Sequence, residues 1–199
     1  MLINVRESTL LIVDIQERLF PAIGGHTALA EHSAWLMQIA QRVGVPVILT
    51  EQYSKGLGPT IASLRDGMAE EVIIEKLHFS AARDGELFKR PGGERKQFVV
   101  SGIETHICVL QTVLDLLARG NQVFVVEEAV GSRRAATRRW DWHACSRPGP
   151  ASFRGRWSPS NGWSRPEPSC FAVSVASSSA DTHAAGACSC CPLPTDGEP

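Results

Sequence analysis

Gln97-Phe98-Val99-Val100-Ser101-Gly102-Ile103-Glu104-Thr105-His106-Ile107-Cys108-Val109 is the stretch on which the fold reading turns. Its first five residues are an apolar run of strand length. From about 105 to 119, Ile107, Leu110, Leu114 and Leu117 then recur at helical spacing, and Gly120-Asn121 closes the helix. Gln122-Val123-Phe124-Val125-Val126 follows as another strand. Strand, short turn, amphipathic helix and strand in that order predict a right-handed parallel crossover.

The same alternation runs upstream. Thr9-Leu10-Leu11-Ile12-Val13 is the first predicted strand, and residues 28–43 are a predicted helix ended by Gly44. Val45-Pro46-Val47-Ile48-Leu49-Thr50 and Glu71-Val72-Ile73-Ile74-Glu75 are the second and third strands, with a loop-rich and then helical segment over 53–70 between them. Unbroken β-branched runs mark strands covered on both faces. The expected fold is therefore α/β, a doubly wound, mostly parallel, Rossmann-like sheet between two helical layers.

The composition changes after about Ala135. Residues 140–199 contain no Ile, Met, Lys or Tyr and a single Leu, yet hold four of the five Trp, five of the six Cys and eight of the 12 Pro. Such a stretch buries too little apolar area to offset its ordering entropy. The expected division is a truncated domain over 1–135 and a disordered tail over 136–199, whose abrupt junction favours an out-of-frame origin. On that reading the sixth strand and closing helices are lost, and strand five is left as a bare apolar edge. A metal or disulfide module on Cys188-Ser189-Cys190-Cys191 is disfavoured, because zinc sites want separated ligand pairs.

The formal net charge of −1 removes the electrostatic case for a nucleic-acid or membrane-surface partner. Met1-Leu2-Ile3-Asn4-Val5-Arg6-Glu7 lacks the pattern of a secretory signal, and Cys108 is the lone thiol of the first 140 residues. A reduced, cytoplasmic setting is the expectation.

In an open parallel sheet, ligands bind beyond the carboxyl ends of the strands. Asp14 follows strand one, Lys76 follows strand three, and Cys108 lies on the first turn of the helix after strand four. Singly, each has a plain structural reading: a small core thiol, a turn carboxylate, a solvated lysine. Together on one edge they make a chemically coherent set. Asp14 can take the thiol proton and return it to a leaving amine, while Lys76 keeps the negative groups ionised. A helix start would stabilise both a thiolate and an oxyanion beside it. His106, two residues before Cys108, points to another helix face, and His78 is a weaker candidate for lining the cleft. Gln16, Phe20, Gln52, Tyr53 and Phe79 are candidate pocket walls for a small-molecule substrate. Glu51-Gln52-Tyr53 is a poor ligand set, so no metal and no cofactor are expected.

Four ordered motifs carry a family resemblance. Leu11-Ile12-Val13-Asp14-Ile15-Gln16, Thr50-Glu51-Gln52-Tyr53 with Lys55-Gly56-Leu57-Gly58-Pro59-Thr60, Glu75-Lys76-Leu77-His78-Phe79-Ser80 and Gly102-Ile103-Glu104-Thr105-His106-Ile107-Cys108-Val109 resemble the isochorismatase-like cysteine hydrolases over residues 5–133. The resemblance is to the metal-independent branch with the Glu-Gln-Tyr loop, since the nicotinamidase Asp/His metal loop is absent. It implies a Cys108–Asp14–Lys76 triad and a cis peptide at Ile103–Glu104. It also implies an oxyanion hole from the amides of Glu104 and Cys108, C–N bond hydrolysis through a thioester, and a homo-oligomer were the C-terminus intact. A catalytically impaired remnant, or a non-catalytic interaction protein, is the alternative.

Overall fold

The computed structural model describes residues 2–134 and the backbone of 170–173. In chain order the elements are β1 (Ser8–Val13), α1 (His26–Arg42), β2 (Val47–Gln52), α2 (Ser54–Leu57), α3 (Ala62–Arg65), β3 (Ile73–Lys76), β4 (Gln97–Ile103), α4 (Leu110–Ala118), β5 (Gln122–Gly131) and β6 (Cys170–Val173). The strands lie in the order β3-β2-β1-β4-β5-β6 and every neighbouring pair is parallel. The chain winds one way from β1 to β3, then restarts at β4 on the other side of β1. That reversal puts the crevice of a doubly wound sheet between the carboxyl ends of β1 and β4.

Side-chain alternation sorts the core into two layers. Leu11 and Val13 of β1 join Ile48, Phe98, Val100, Val123 and Val125 beneath Val113 and Leu116 of α4. Leu10 and Ile12 join Leu49, Ile73 and Ile103 beneath Leu29, Met37 and Ala40 of α1. With both faces of the sheet covered, the strands are apolar throughout, which is why they read as continuous runs. Among the described residues no helix is long and apolar enough to cross a membrane.

Two local departures shape the active edge. Residues predicted to begin the helix after β4 instead form a π-helical turn, Thr105–Val109, and α4 starts only at Leu110. Glu104 O accepts from both Ile107 N at 3.1 Å and Val109 N at 3.2 Å, so one carbonyl holds the wide turn. At the end of β4, Gly102 has φ of +139°, and a Cβ there would lie 2.2 Å from Val13 O. Only glycine lets β4 come this close to β1 at the crevice.

The α/β fold with a parallel sheet is as expected, and a four-residue strand from the C-terminal third lies at its outer edge. The backbone of β6 pairs in parallel with β5, Val123 opposite Cys170 and Val126 opposite Val173. The physical reason is the edge itself: the outer N–H and C=O groups of β5 template any extended segment within reach. Phe171-Ala172-Val173 opens the one short apolar run in the tail. The expected disorder of the tail, the missing closing helices and Cys188-Ser189-Cys190-Cys191 all concern residues outside those described.

Gly102→Ala should cost more than about 3 kcal/mol in urea unfolding, because neither φ nor space accommodates a methyl group. Gly120→Ala, at φ +84° with nothing within 4 Å of the added Cβ, should cost only about 1 kcal/mol. Equal losses would contradict the close-approach account.

Candidate active site

Asp14, Lys76 and Cys108 are brought together at the carboxyl edge. Asp14 leaves β1 with φ of +54°, a left-handed turn that aspartate tolerates better than most residues. Its carboxylate is buried. Oδ1 accepts from Thr50 Oγ1 at 2.7 Å, and Oδ2 accepts from Lys76 Nζ at 2.6 Å. The Cys108 thiol lies close enough for its protonation to be coupled to this carboxylate.

Lys76 is the last residue of β3, two strands from β1, so its side chain must cross roughly 10 Å over the end of β2. Nζ then meets four acceptors: Asp14 Oδ2, Gln52 Oε1 at 2.9 Å, Phe79 O at 3.0 Å and His78 O at 3.2 Å. Every partner of Nζ is an acceptor, and every partner of the Asp14 carboxylate is a donor. That pattern is the one an ammonium and a carboxylate require. Burial pushes the Asp14 carboxyl up from its ordinary range, while the Lys76 charge and hydrogen bonds from Lys76, Thr50 and Cys108 pull against it. Burial prevails, so the carboxyl holds a proton more tightly than an exposed aspartate does.

The expectation of a stabilised thiolate is corrected. Burial pushes the Cys108 thiol up, and the negative charge of Asp14 and its hydrogen bond push it further; Lys76 and the Glu104 backbone N–H oppose them less strongly. The helix-start argument falls short because Cys108 sits on the π turn, with only 6% of its surface exposed. These effects favour a neutral thiol in the resting site.

The other candidates divide into two groups. Gln16 is fully buried and spends its amide on backbone: Nε2 donates to Gln52 O and Gly58 O, and Oε1 accepts from Gln52 N. Gln52 bridges Lys76 and Leu77 O. Gln16 fixes the wall from within, while Gln52 is only half-buried. Phe20 is half-buried, edge-on to His26 at 4.9 Å between ring centroids. Tyr53 and Phe79 are exposed on the loops after β2 and β3. The Ile103–Glu104 peptide is cis, as the resemblance implies. His106 turns toward β5, its Nδ1 3.1 Å from Ser132 Oγ.

Thr50 was not among the sequence candidates, although a hydroxyl ending the apolar run Val47-Ile48-Leu49 is the signal that could have found it. Glu51, next to it, is structural: its Oε1 accepts from Thr60 N and Arg65 Nε, pinning the α2–α3 loop. Among the described residues no group of three or more His, Cys, Asp or Glu side chains is placed to hold a metal ion.

The isochorismatase domain model matches residues 8–149. The chain belongs to the isochorismatase family. Isochorismatase domain-containing protein 2 of Danio rerio is 36% identical over 138 residues, covering 68% of each chain. The chain spans between 42% and 68% of the length of the curated relatives it matches. Among solved structures, the MAR1 ribonuclease of Caenorhabditis elegans shares 37% identity with a TM-score of 0.64, over 71% of this chain and 73% of that one. The YcaC gene product of Escherichia coli, described as an octameric hydrolase of unknown specificity, has a TM-score of 0.65 at 24% identity over 72% of this chain and 73% of its own. At that identity the likeness speaks for the fold alone.

Because the resting thiol is neutral, its alkylation by iodoacetamide should keep rising from about pH 7 to about pH 10, with no plateau near neutrality. A plateau near neutral pH would mean a preformed thiolate. Lys76→Met should cost about 3–5 kcal/mol in urea unfolding by stranding the Asp14 charge, and the added change Asp14→Asn should return much of it. A loss below about 1 kcal/mol would contradict a charged pair.

Proposed function

We propose that this isochorismatase-family chain is a metal-independent cysteine hydrolase of small amide-type substrates. The observation that carries the proposal is the buried Asp14–Lys76 ion pair with the Cys108 thiol electrostatically coupled to it at the switch point of the sheet. As the sulfur attacks the substrate carbonyl, Asp14 takes the thiol proton and an S–C bond forms. The resulting oxyanion is held by the backbone N–H groups of Glu104 and Cys108; the backbone of Glu104 favours negative charge on the sulfur in the resting site. The C–N bond then breaks, and Asp14 hands its proton to the departing amine. Water, deprotonated by Asp14, attacks the thioester; the sulfur leaves and regains the proton. Lys76 remains ammonium throughout, keeping Asp14 ionised between transfers.

Several features support this reading. Thr50 and Lys76 hold both carboxylate oxygens, so the Asp14 side chain is fixed in one orientation. The exposed rings of Tyr53 and Phe79 flank the loops around Lys76 and are the proposed apolar contacts for the substrate, with Phe20 deeper. The C. elegans neighbour's name speaks of RNA cleavage, but a net charge of −1 offers no electrostatic footprint for a polyanion here. Homo-oligomeric assembly, as stated for the E. coli octamer, is proposed for this chain as well.

A panel of small amides and activated esters tests the reading. Intact-protein mass spectrometry should trap an acyl adduct that maps to Cys108. Cys108→Ala should abolish turnover, and Asp14→Asn should lower kcat by about 10²-fold or more, as expected for loss of a general base. Full turnover by Cys108→Ala would end the proposal.

A further inference from the structure

A second cluster of polar side chains lies beside the triad, at the diverging ends of β4 and β5. The last paired residues are Ile103 and Gly131. Just beyond them the Glu104 carboxylate, with only 4% of its side chain exposed, is contacted by Arg133 Nε at Oε1. Its Oε2 is buried without a hydrogen bond and lies 3.4 Å from His106 Nδ1. That same ring nitrogen is 3.1 Å from Ser132 Oγ. A carboxylate buried beside a turn is costly unless it is paired, and an apolar side chain would fill the same space without that penalty. Here the buried carboxylate belongs to the residue whose carbonyl holds the π turn that carries Cys108 and whose backbone favours negative charge on the sulfur.

We infer that Glu104, Arg133 and His106 are positioning residues: they brace the π turn against the end of β5 and so fix the amide that receives the oxyanion. The inference rests on the hydrolase reading above and adds residues that the triad does not include. Arg133 stays 58% exposed, so the guanidinium remains hydrated while the carboxylate takes the desolvation. Without Arg133 the carboxylate has to seek water, and rotating Glu104 outward drags its own N–H away from the site. His106, between Ser132 Oγ and Glu104 Oε2, limits that rotation from the other side. The brace also links the oxyanion amide to the last residues of β5, from which the chain continues into its C-terminal third.

Two reactions of Cys108 separate this role from a merely structural one. Alkylation by iodoacetamide needs the sulfur but forms no oxyanion. Acylation by p-nitrophenyl acetate forms one: the S–C bond is made, the thiol proton goes to Asp14, and p-nitrophenolate leaves. Arg133→Ala should slow acylation by about 10²-fold, the scale of losing one oxyanion donor, while alkylation stays within about threefold of wild type. Arg133→Lys should restore most of the acylation rate. Glu104→Gln, which keeps the shape but removes the charge, should show the same split and carries the test if Arg133→Ala does not fold. Wild-type acylation in Glu104→Gln, or equal losses in both reactions, would overturn the brace. A wild-type protein that alkylates but never acylates at Cys108 would overturn the hydrolase reading itself, and the brace with it.

Discussion

One buried ion pair organises the active edge. Asp14 and Lys76 belong to strands separated by β2, and only a long, straight cationic side chain spans that gap. Thr50 and Gln52, at the end of β2, lie beneath the bridge and complete the hydrogen bonding of both charges. Removing two charges from water costs several kcal/mol per ion, and their mutual attraction repays this only when every remaining donor and acceptor is matched. Here they are matched by Thr50, Gln52 and the carbonyls of His78 and Phe79. An apolar pair of similar volume would serve stability as well. On the proposed mechanism the charges serve chemistry, holding a general base beside a sulfur in a buried site.

The thiol fits that arrangement in an unexpected way. A preformed thiolate would put a second negative charge against Asp14, and burial would penalise it again. Burial pushes both the Cys108 thiol and the Asp14 carboxyl up, which favours the proton on sulfur and a stronger base beside it. On the proposed mechanism, proton transfer and nucleophilic attack are then coupled, so the sulfur becomes nucleophilic when a carbonyl is there to receive it. The close approach of β4 to β1 at Gly102 brings the two groups within reach.

Much of this was legible in the sequence, for physical reasons specific to each element. Leu10–Val13 and Phe98–Val100 read as buried strands because both faces of the sheet are covered. Placing Asp14, Lys76 and Cys108 on one edge required only that the strands be parallel. Thr50 escaped notice because its partner comes from another strand, and strand order does not appear in local pattern. The π turn was invisible because Thr105–Val109 has ordinary helical residues; its width comes from Glu104 O accepting two N–H groups. Pairing of Cys170–Val173 with β5 joins residues about fifty positions apart, beyond any local signal. The Glu104–Arg133 contact was hidden likewise, although a Glu inside the apolar entry to the turn was visible.

The central claim is that Asp14 is ionised at neutral pH inside the folded protein, held so by Lys76. The most direct measurement is the infrared difference spectrum of wild type against Asp14→Asn at neutral pH, repeated with Lys76→Met. The account predicts that wild type shows the antisymmetric stretch of a carboxylate, and that Lys76→Met replaces it with the carbonyl stretch of a protonated acid. A protonated Asp14 in wild type, or a carboxylate band unchanged by loss of Lys76, would contradict it.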